Sequence, residues 1–149
     1  MGIAEALAGQ RVYLDTNIFI YAIEGVPPYA DAMRELFAAI DAGRVEAATS
    51  ELTLAEVLVK PLITGDAELQ EVYQEVLREG GPLHVASVSR AVLLGAAGLR
   101  ARIDTLRLPD AIHMATAQLC GCGAFLTNDQ SLRGPTNVRV LLCSHLAGS

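Results

Sequence analysis

The sequence lacks several features that would place the protein in a well-known structural class. It has 149 residues, no tryptophan and only 5% aromatic residues, and charged residues make up 19% against 52% hydrophobic ones. This balance excludes an intrinsically disordered chain, a collagen and a coiled coil. The longest near-continuous apolar run, 91–99, has nine residues, whereas a transmembrane helix needs about 20. We therefore expect a globular protein with no membrane partner.

Signals for export and for disulfide bonding are missing as well. The first residues, MGIAEALAGQR, have no basic region and carry Glu5 within their apolar part, which is unlike a secretory signal peptide. The cysteines are an odd three, Cys120, Cys122 and Cys143, and C-G-C is neither a redox CxxC motif nor half of a zinc site. We expect a cytoplasmic protein whose cysteines are small buried residues in a reducing compartment.

Positive charge is scarce and unevenly placed. The net charge of −6 argues against general affinity for nucleic acid. However, 14 acids and 5 bases precede residue 80, whereas 3 acids and 6 arginines follow it. Ten of the eleven basic residues are arginine, whose guanidinium group matches the geometry of a phosphate. The second half of the chain can therefore still present a phosphate-binding face.

Short β-rich runs alternate with helical periodicities along the chain. This alternation predicts a single α/β domain over residues 1–149, with a parallel β-sheet flanked by helices. The predicted strands are 11–14, 45–49, 83–86, 124–127 and 138–142. The predicted helices are 16–23, 27–42, 51–60, one capped by Asp66, 87–103, and one from Pro109 to about 120. Pro61 is expected to end the third of these helices.

Four carboxylates occupy positions that suit chemistry. Asp15 and Asp129 follow predicted strands, Asp110 lies in the first turn of a helix, and Glu56 lies among apolar neighbours on another helix. Ligands of open parallel sheets bind beyond the carboxyl ends of the strands, so three of the four can face one sheet edge. Each also has a purely structural explanation: a helix N-cap for Asp15, a capping box for Glu56, a helix-dipole partner for Asp110 and a turn for Asp129.

A site that gathered these acids would need a cation. Two carboxylates about 5 Å apart repel by roughly 3 kcal/mol at an effective dielectric constant of about 20. Oxygen donors without a histidine or cysteine cluster favour Mg²⁺ or Mn²⁺, and these ions promote hydrolysis at phosphoryl groups. Arg107 and Arg133 flank two of the acids and are the candidates for phosphate contacts.

Other polar and aromatic residues are weaker candidates. His113 lies one helical turn beyond Asp110 and is either a metal ligand or a hydrogen-bonded structural histidine, of which we favour the second. Asp104 either supports the site or is a surface acid, and again we favour the second. Tyr13, Phe19 and Tyr21 are expected in the core.

Four segments together resemble the PIN domain family and, within it, the VapC-like toxin ribonucleases. They are VYLDTNIFIY at 12–21, SELTLAEVLVKPL at 50–62, LPDAIHMATA at 108–117 and FLTNDQSL at 125–132. Their order and spacing match the family over nearly the whole chain. The resemblance implies a PIN-like parallel sheet with acids at one edge, and Mg²⁺- or Mn²⁺-dependent endonucleolytic cleavage of RNA.

The resemblance also implies roles for residues and partners. The family's acidic quartet of catalytic and metal-binding residues is matched by Asp15, Glu56, Asp110 and Asp129. Asn17 and Thr127 match its polar helpers. The implied partners are an RNA substrate and a cognate antitoxin, which would lay an amphipathic helix on apolar surface and place an arginine near the acids. The high apolar content of a small domain also favours a homodimer.

Three other functions agree with parts of the sequence. A stand-alone RNA-processing nuclease would share every residue named above. A non-catalytic binding module would keep the PIN fold as a scaffold. An aspartyl phosphatase of the haloacid dehalogenase type requires a second aspartate where this chain has Asn17, and it is the least favoured. The RNA target is left open.

Overall fold

Five parallel strands form the centre of the protein. The structure is a computed structural model and describes residues 2–146. The strands are β1 (Arg11–Leu14), β2 (Glu46–Ser50), β3 (His84–Ala86), β4 (Ala124–Thr127) and β5 (Arg139–Leu142), in the order β3-β2-β1-β4-β5. Val12 of β1 is in register with Ala47 on one side and Ala124 on the other. The order reverses at β1, so the space beyond β1 and β4 is where such a sheet forms a ligand cleft.

Eight helices within the described residues cover both faces of this sheet. They are α1 (Ile3–Leu7), α2 (Thr16–Glu24), α3 (Ala30–Asp41), α4 (Glu51–Thr64), α5 (Ala67–Val76), α6 (Arg90–Arg102), α7 (Leu108–Leu119) and α8 (Cys143–Leu146). Successive strand residues point to opposite faces: Val12 and Leu14 join the core under α2 and α3, whereas Tyr13 joins the core under α6 and α7. None of the described helices is long and apolar enough to cross a membrane.

The predicted α/β class and parallel sheet are confirmed, with every strand within one residue of its predicted bounds at each end. The expected end of α4 at Pro61 is wrong. Pro61 lies inside the helix and is buried, and the helix continues to Thr64, where Gly65, with a left-handed φ of 71°, caps it. A proline removes one backbone donor, and here the Pro61 carbonyl still accepts from Asp66 N and Gln70 Nε2.

Other helix ends differ because of caps and short length. Helix α6 begins at Arg90 rather than 87, since the hydroxyl of Ser89 caps Val92 N. Helix α3 begins at Ala30, beyond the Pro27-Pro28 turn. The short helices α1 and α8 were not predicted, because four or five residues carry too little periodicity to detect.

The expected core is confirmed except at two positions. Tyr13 and Phe19 are fully buried, but Tyr21 is only half-buried; it packs against the edge of the core, and its ring stacks on Tyr29. The cysteines are free; Cys143 is buried, whereas Cys120 is partly exposed. Burial raises the pKa of the Cys143 thiol to about 11.

Candidate active site

Asp15 lies at the carboxyl end of the central strand and caps the helix that follows. Its Oδ1 accepts from Thr16 N at 2.8 Å, and its Oδ2 accepts from Thr127 Oγ1 at 2.6 Å. Its own amide donates to Leu126 O, which carries the β1–β4 pairing to the end of the strand. The N-cap explanation therefore holds, and the same bonds fix the carboxylate at the sheet edge.

Thr127 links this carboxylate to the loop that carries Asp129. The threonine is fully buried at the end of β4, and its hydroxyl accepts from Asp129 N at 3.1 Å while donating to Asp15. The Oδ1 of Asp129 accepts from the amide and the hydroxyl of Ser131, at 3.0 and 2.6 Å. The expected turn is thus present, and it holds Asp129 next to the end of β4.

Asp110 reaches the same edge from the first turn of α7, and 22% of its side chain is exposed. Burial raises the pKa of this carboxyl above its usual range, and the negative charges of Asp15 and Asp129 raise it further. Arg107, whose Nε lies 3.5 Å from Oδ2, opposes the shift without cancelling it. Asp15 and Asp129 are therefore close enough to affect the ionisation of Asp110.

Asp110 and Asp129 line one open cleft of about 360 Å³. Both predicted arginines, Arg107 and Arg133, line it as well, and both are exposed. Thr105 and Ser131 add hydroxyl groups to the lining. The cleft therefore combines two acids with two solvent-facing guanidinium groups, which can attract a phosphate while the acids attract a cation.

Glu56 approaches from the middle of α4. Its Oε1 accepts from Thr16 Oγ1 at 2.7 Å and from His113 Nε2 at 2.6 Å. Burial raises the pKa of this carboxyl, but the hydrogen bonds from His113 and Thr16, together with the charge interactions with His113 and Arg107, outweigh burial and bring the pKa below its usual value. Glu56 is therefore held as a carboxylate. Thr16 joins it to the Asp15 region, because the same residue donates its amide to Asp15.

The capping-box explanation for Glu56 is wrong. Ser50 is the residue that caps α4, and its hydroxyl accepts from Leu52 N. The Thr53 hydroxyl, which a capping box would use, is buried and bonded to the Thr49 hydroxyl at 2.7 Å. The carboxylate of Glu56 thus points toward α7 and α2 and takes no part in starting its own helix.

His113 and Asp104 occupy the positions that the favoured interpretations assign to them. His113 is 2% exposed and hydrogen bonded through both ring nitrogens, to Tyr13 and to Glu56. Asp104 is exposed on the loop between α6 and α7. Thr16 and Ser131 are the site residues that sequence reasoning missed. Each directly follows or nearly follows a singled-out aspartate, and that adjacency is the signal that would have found them.

Asn17 lies in the first turn of α2, next to this group. Its Oδ1 is buried, and no group in residues 2–146 donates a hydrogen bond to it. A buried carbonyl oxygen without a partner is unfavourable, so this atom is suited to a partner outside the chain. Together with the aspartate oxygens it makes an oxygen-only donor set, which by type fits Mg²⁺ or Mn²⁺.

The carboxylates lie farther apart than the ligands of one metal ion would. Within residues 2–146, no three His, Cys, Asp or Glu side chains come close enough to form a metal-binding group. Asp15, Asp110 and Asp129 interact through their charges, and Glu56 joins Asp15 through Thr16. The sequence-predicted quartet is thus gathered in one region but does not form a compact ligand cluster.

The fold and this region define a parallel α/β domain with carboxylates beyond the carboxyl ends of its central strands. The chain belongs to the PIN domain family, whose model matches residues 12–135, so the family resemblance seen in the four motifs is confirmed. Comparison with curated proteins finds no match.

Three solved structures illustrate the similarity of fold. A toxin–antitoxin complex from Klebsiella pneumoniae is 26% identical with a TM-score of 0.62, and the match covers 85% of this chain and 94% of that one. VapBC2 from Rickettsia felis, bound to a DNA fragment from its promoter, is 18% identical with a TM-score of 0.68, covering 89% and 98%. FitAcB from Neisseria gonorrhoeae is 19% identical with a TM-score of 0.65, covering 91% and 99%.

Proposed function

We propose that the protein is a Mg²⁺- or Mn²⁺-dependent endoribonuclease that hydrolyses RNA phosphodiester bonds, and that it is the toxin of a type II toxin–antitoxin pair. The observation that carries the proposal is the electrostatic interaction of Asp15, Asp110 and Asp129 at the carboxyl edge of the sheet. Folding alone gives no reason to place two further acids where their charges raise the pKa of Asp110, whereas a cation-binding site does.

In this proposal the three aspartates and Glu56 have different roles, which follow from their positions. Asp15, Asp110 and Asp129 would hold the cation, and the buried Oδ1 of Asn17, to which no group in residues 2–146 donates, would be a further oxygen donor two residues from Asp15. A bound Mg²⁺ or Mn²⁺ ion lowers the pKa of a water and stabilises negative charge on the leaving oxygen. Thr127 keeps Asp15 in place through its 2.6 Å hydrogen bond.

Glu56 is suited to orient the attacking water and accept its proton, because its hydrogen bonds keep it ionised. Arg107 and Arg133 are suited to bind the substrate's phosphates, since both are exposed on the rim of the cleft that contains two of the acids. The reaction breaks one phosphorus–oxygen bond and forms another to the oxygen of water.

The proposal that the protein is a toxin is supported by its similarity, at 26% identity, to a structure described as a toxin–antitoxin complex. An antitoxin segment needs an apolar groove, and one of about 480 Å³ lies between α2, α3 and α5. Ile23, Phe37 and Val76 line it, with Arg34 and Glu75 at its rim. This combination suits an amphipathic helix. Phe37→Asp should abolish co-purification with a small protein encoded beside the gene, and unchanged co-purification would remove the groove from the proposal.

A second copy of the chain is the other proposed partner. Helix α4 exposes Leu62 and Ile63, and α6 exposes Leu93 and Leu94, and such exposed apolar side chains are suited to a contact between two copies. Sedimentation at about 100 μM should show a dimer, and Ile63→Lys should weaken it. Purified protein that stays monomeric at that concentration would contradict the dimer.

RNA cleavage by the purified protein tests the nuclease. We expect cleavage with Mg²⁺ or Mn²⁺, none with excess EDTA, and none in Asp15→Asn. Asparagine caps a helix as well as aspartate, so this variant should fold. Asp104→Asn, which changes an exposed acid on a loop, is the matched control and should cleave normally.

The wide spacing of the acids favours one alternative, a PIN-fold binding module without catalysis. Folded protein that neither cleaves RNA nor binds Mn²⁺ by calorimetry would replace the nuclease with that module. A stand-alone processing nuclease would show metal-dependent cleavage but have no antitoxin partner.

A further inference from the structure

A buried chain of hydrogen bonds leads from the core of the protein to Glu56. Tyr13 Oη lies 2.6 Å from His113 Nδ1, and His113 Nε2 lies 2.6 Å from Glu56 Oε1. The three residues come from β1, α7 and α4, which are far apart in the sequence. Tyr13 and His113 are both essentially inaccessible to solvent, so water does not compete for these bonds.

The ionised carboxylate sets the direction of the bond to Glu56, and the tautomer of His113 sets the direction of the bond to Tyr13. An ionised carboxylate can only accept, so His113 Nε2 carries the proton and donates to Glu56. In a neutral imidazole the other nitrogen is then an acceptor, and the Tyr13 hydroxyl donates to it. Tyr13 is itself fixed, because its ring stacks on Phe125 with the centroids 4.9 Å apart. Every hydrogen-bonding atom of the imidazole thus has a defined partner.

The bonds are distributed unequally over the two oxygens of Glu56. Oε1 accepts from both His113 and Thr16, whereas no group in residues 2–146 donates to Oε2. A carboxylate held in this way by one oxygen cannot rotate freely, and its second oxygen keeps one orientation. A histidine that served packing alone would have no need to hold one oxygen of a half-exposed acid.

We propose that His113 is a positioning residue, which holds Oε1 of Glu56 so that Oε2 is presented to the attacking water. The inference rests on the proposed nuclease function and assigns to His113 a role that works only through Glu56. Tyr13 supports it by fixing the proton on Nε2.

Two substitutions separate positioning from packing. In His113→Gln the side-chain amide nitrogen reaches the place of Nε2 and can still donate, whereas in His113→Asn it reaches only the place of Nδ1. We expect His113→Asn to lower kcat about 10- to 100-fold, the usual effect of losing a partner that orients an active-site group, with KM unchanged. His113→Gln should recover most of kcat. The matched control, His84→Asn, changes an exposed histidine and should behave as the wild type.

A double-mutant cycle with Glu56→Gln tests whether the two residues act as one unit. We expect His113→Asn to cause no further loss of kcat when Glu56 is already replaced. An equal loss in both backgrounds, or a His113→Gln variant as impaired as His113→Asn, would overturn the proposal. Thermal unfolding accompanies each variant. If His113→Asn unfolds, Tyr13→Phe, which keeps the ring, takes its place in the cycle with the same expectation.

NMR gives a readout that is independent of cleavage. Long-range ¹H–¹⁵N correlation spectra of the wild type should show His113 as the tautomer protonated at Nε2, and a proton on Nδ1 alone would overturn the proposal. If the wild type cleaves no RNA with either metal, the proposed function fails, and the spectrum alone decides whether His113 donates to Glu56.

Discussion

The amino ends of the strands and the carboxyl ends carry charge in different ways. At the amino ends, Arg11 of β1 lies 3.1 Å from Glu46, its register partner on β2, and also donates to the carbonyl of Cys120. Arg139 of β5 donates to Gln10 Oε1. An acid at this edge therefore faces a base, as folding alone would favour.

At the carboxyl ends, three aspartates come together against one paired arginine. Arg107 lies 3.5 Å from Asp110, yet the pKa of Asp110 remains raised by burial and by the charges of Asp15 and Asp129. The two edges belong to the same sheet and the same strands, so the fold does not require this imbalance. The difference indicates that the acids at the carboxyl edge serve a ligand. Substitutions at either edge of the sheet can test this contrast.

Asp110→Asn should have the largest effect on this comparison. We expect RNA cleavage to fall by at least about 100-fold, because loss of groups that only orient a metal ligand already costs roughly 10- to 100-fold. At neutral pH the free energy of unfolding of this variant should be higher than that of the wild type. A carboxyl whose pKa is raised by folding destabilises the native state once it is ionised.

The pH dependence follows from the sign of that shift. The cost is present above the raised pKa of Asp110 and disappears as the pH falls through it, because the protonated form is the one that folding favours. The stability advantage of Asp110→Asn over the wild type should therefore shrink toward acidic pH, as measured by thermal unfolding in EDTA. Asp104→Asn, an exposed acid, should match the wild type in both assays. A strongly destabilised Asp110→Asn would show that the acid serves folding.

Metal binding should sharpen the contrast between the edges. A ligand at 100 times its Kd stabilises a native protein by about 2.7 kcal/mol, so saturating Mn²⁺ should raise the thermal midpoint of the wild type. Asp15→Asn should lose most of this rise, whereas Glu46→Gln at the opposite edge should keep it. Equal rises in all three proteins would mean that Mn²⁺ binds elsewhere.

The strands and the candidate acids could be predicted from the sequence because their signals are local. The run of residues in β1 and the aspartate that follows it are adjacent in the chain, and only one residue separates Thr127 from Asp129. An aspartate that follows a parallel strand lies at the carboxyl edge of the sheet, where such sheets bind ligands. For such residues, the local sequence is enough to predict where they lie in the fold.

The environment of Glu56 could not be predicted in this way. Its partners, Thr16 and His113, are 40 and 57 residues away, and the sequence alone left a capping box with Thr53 open as a structural alternative. Pro61 shows the same limit, since helix α4 passes through it while its ring is buried and its carbonyl accepts from Gln70 Nε2, nine residues away. Tertiary packing decides both cases.

Arg133→Ala should have a moderate effect. Arg133 lines the acidic cleft without an acidic partner within 4.0 Å among the described residues. We expect KM for RNA to rise several-fold with kcat nearly unchanged, and the dependence of log KM on log salt to lose about one unit of slope. Arg44→Ala, just before the amino end of β2, is the control and should leave KM and its salt dependence unaltered. A fall in kcat without a change in KM would assign Arg133 to the chemical step.

Breaking the pair at the amino edge should have the smallest effect. The side chains of Arg11 and Glu46 are 47% and 70% exposed, and such surface pairs contribute about 0–1 kcal/mol. Glu46→Gln should therefore lower stability slightly, and Arg11→Ala somewhat more, since Arg11 also loses its 2.7 Å bond to the Cys120 carbonyl. Denaturant unfolding measures both, and cleavage should match that of the wild type. A loss of cleavage in Glu46→Gln comparable to that in Asp110→Asn would show that charge at either edge affects activity, and the contrast between the edges would no longer locate the site.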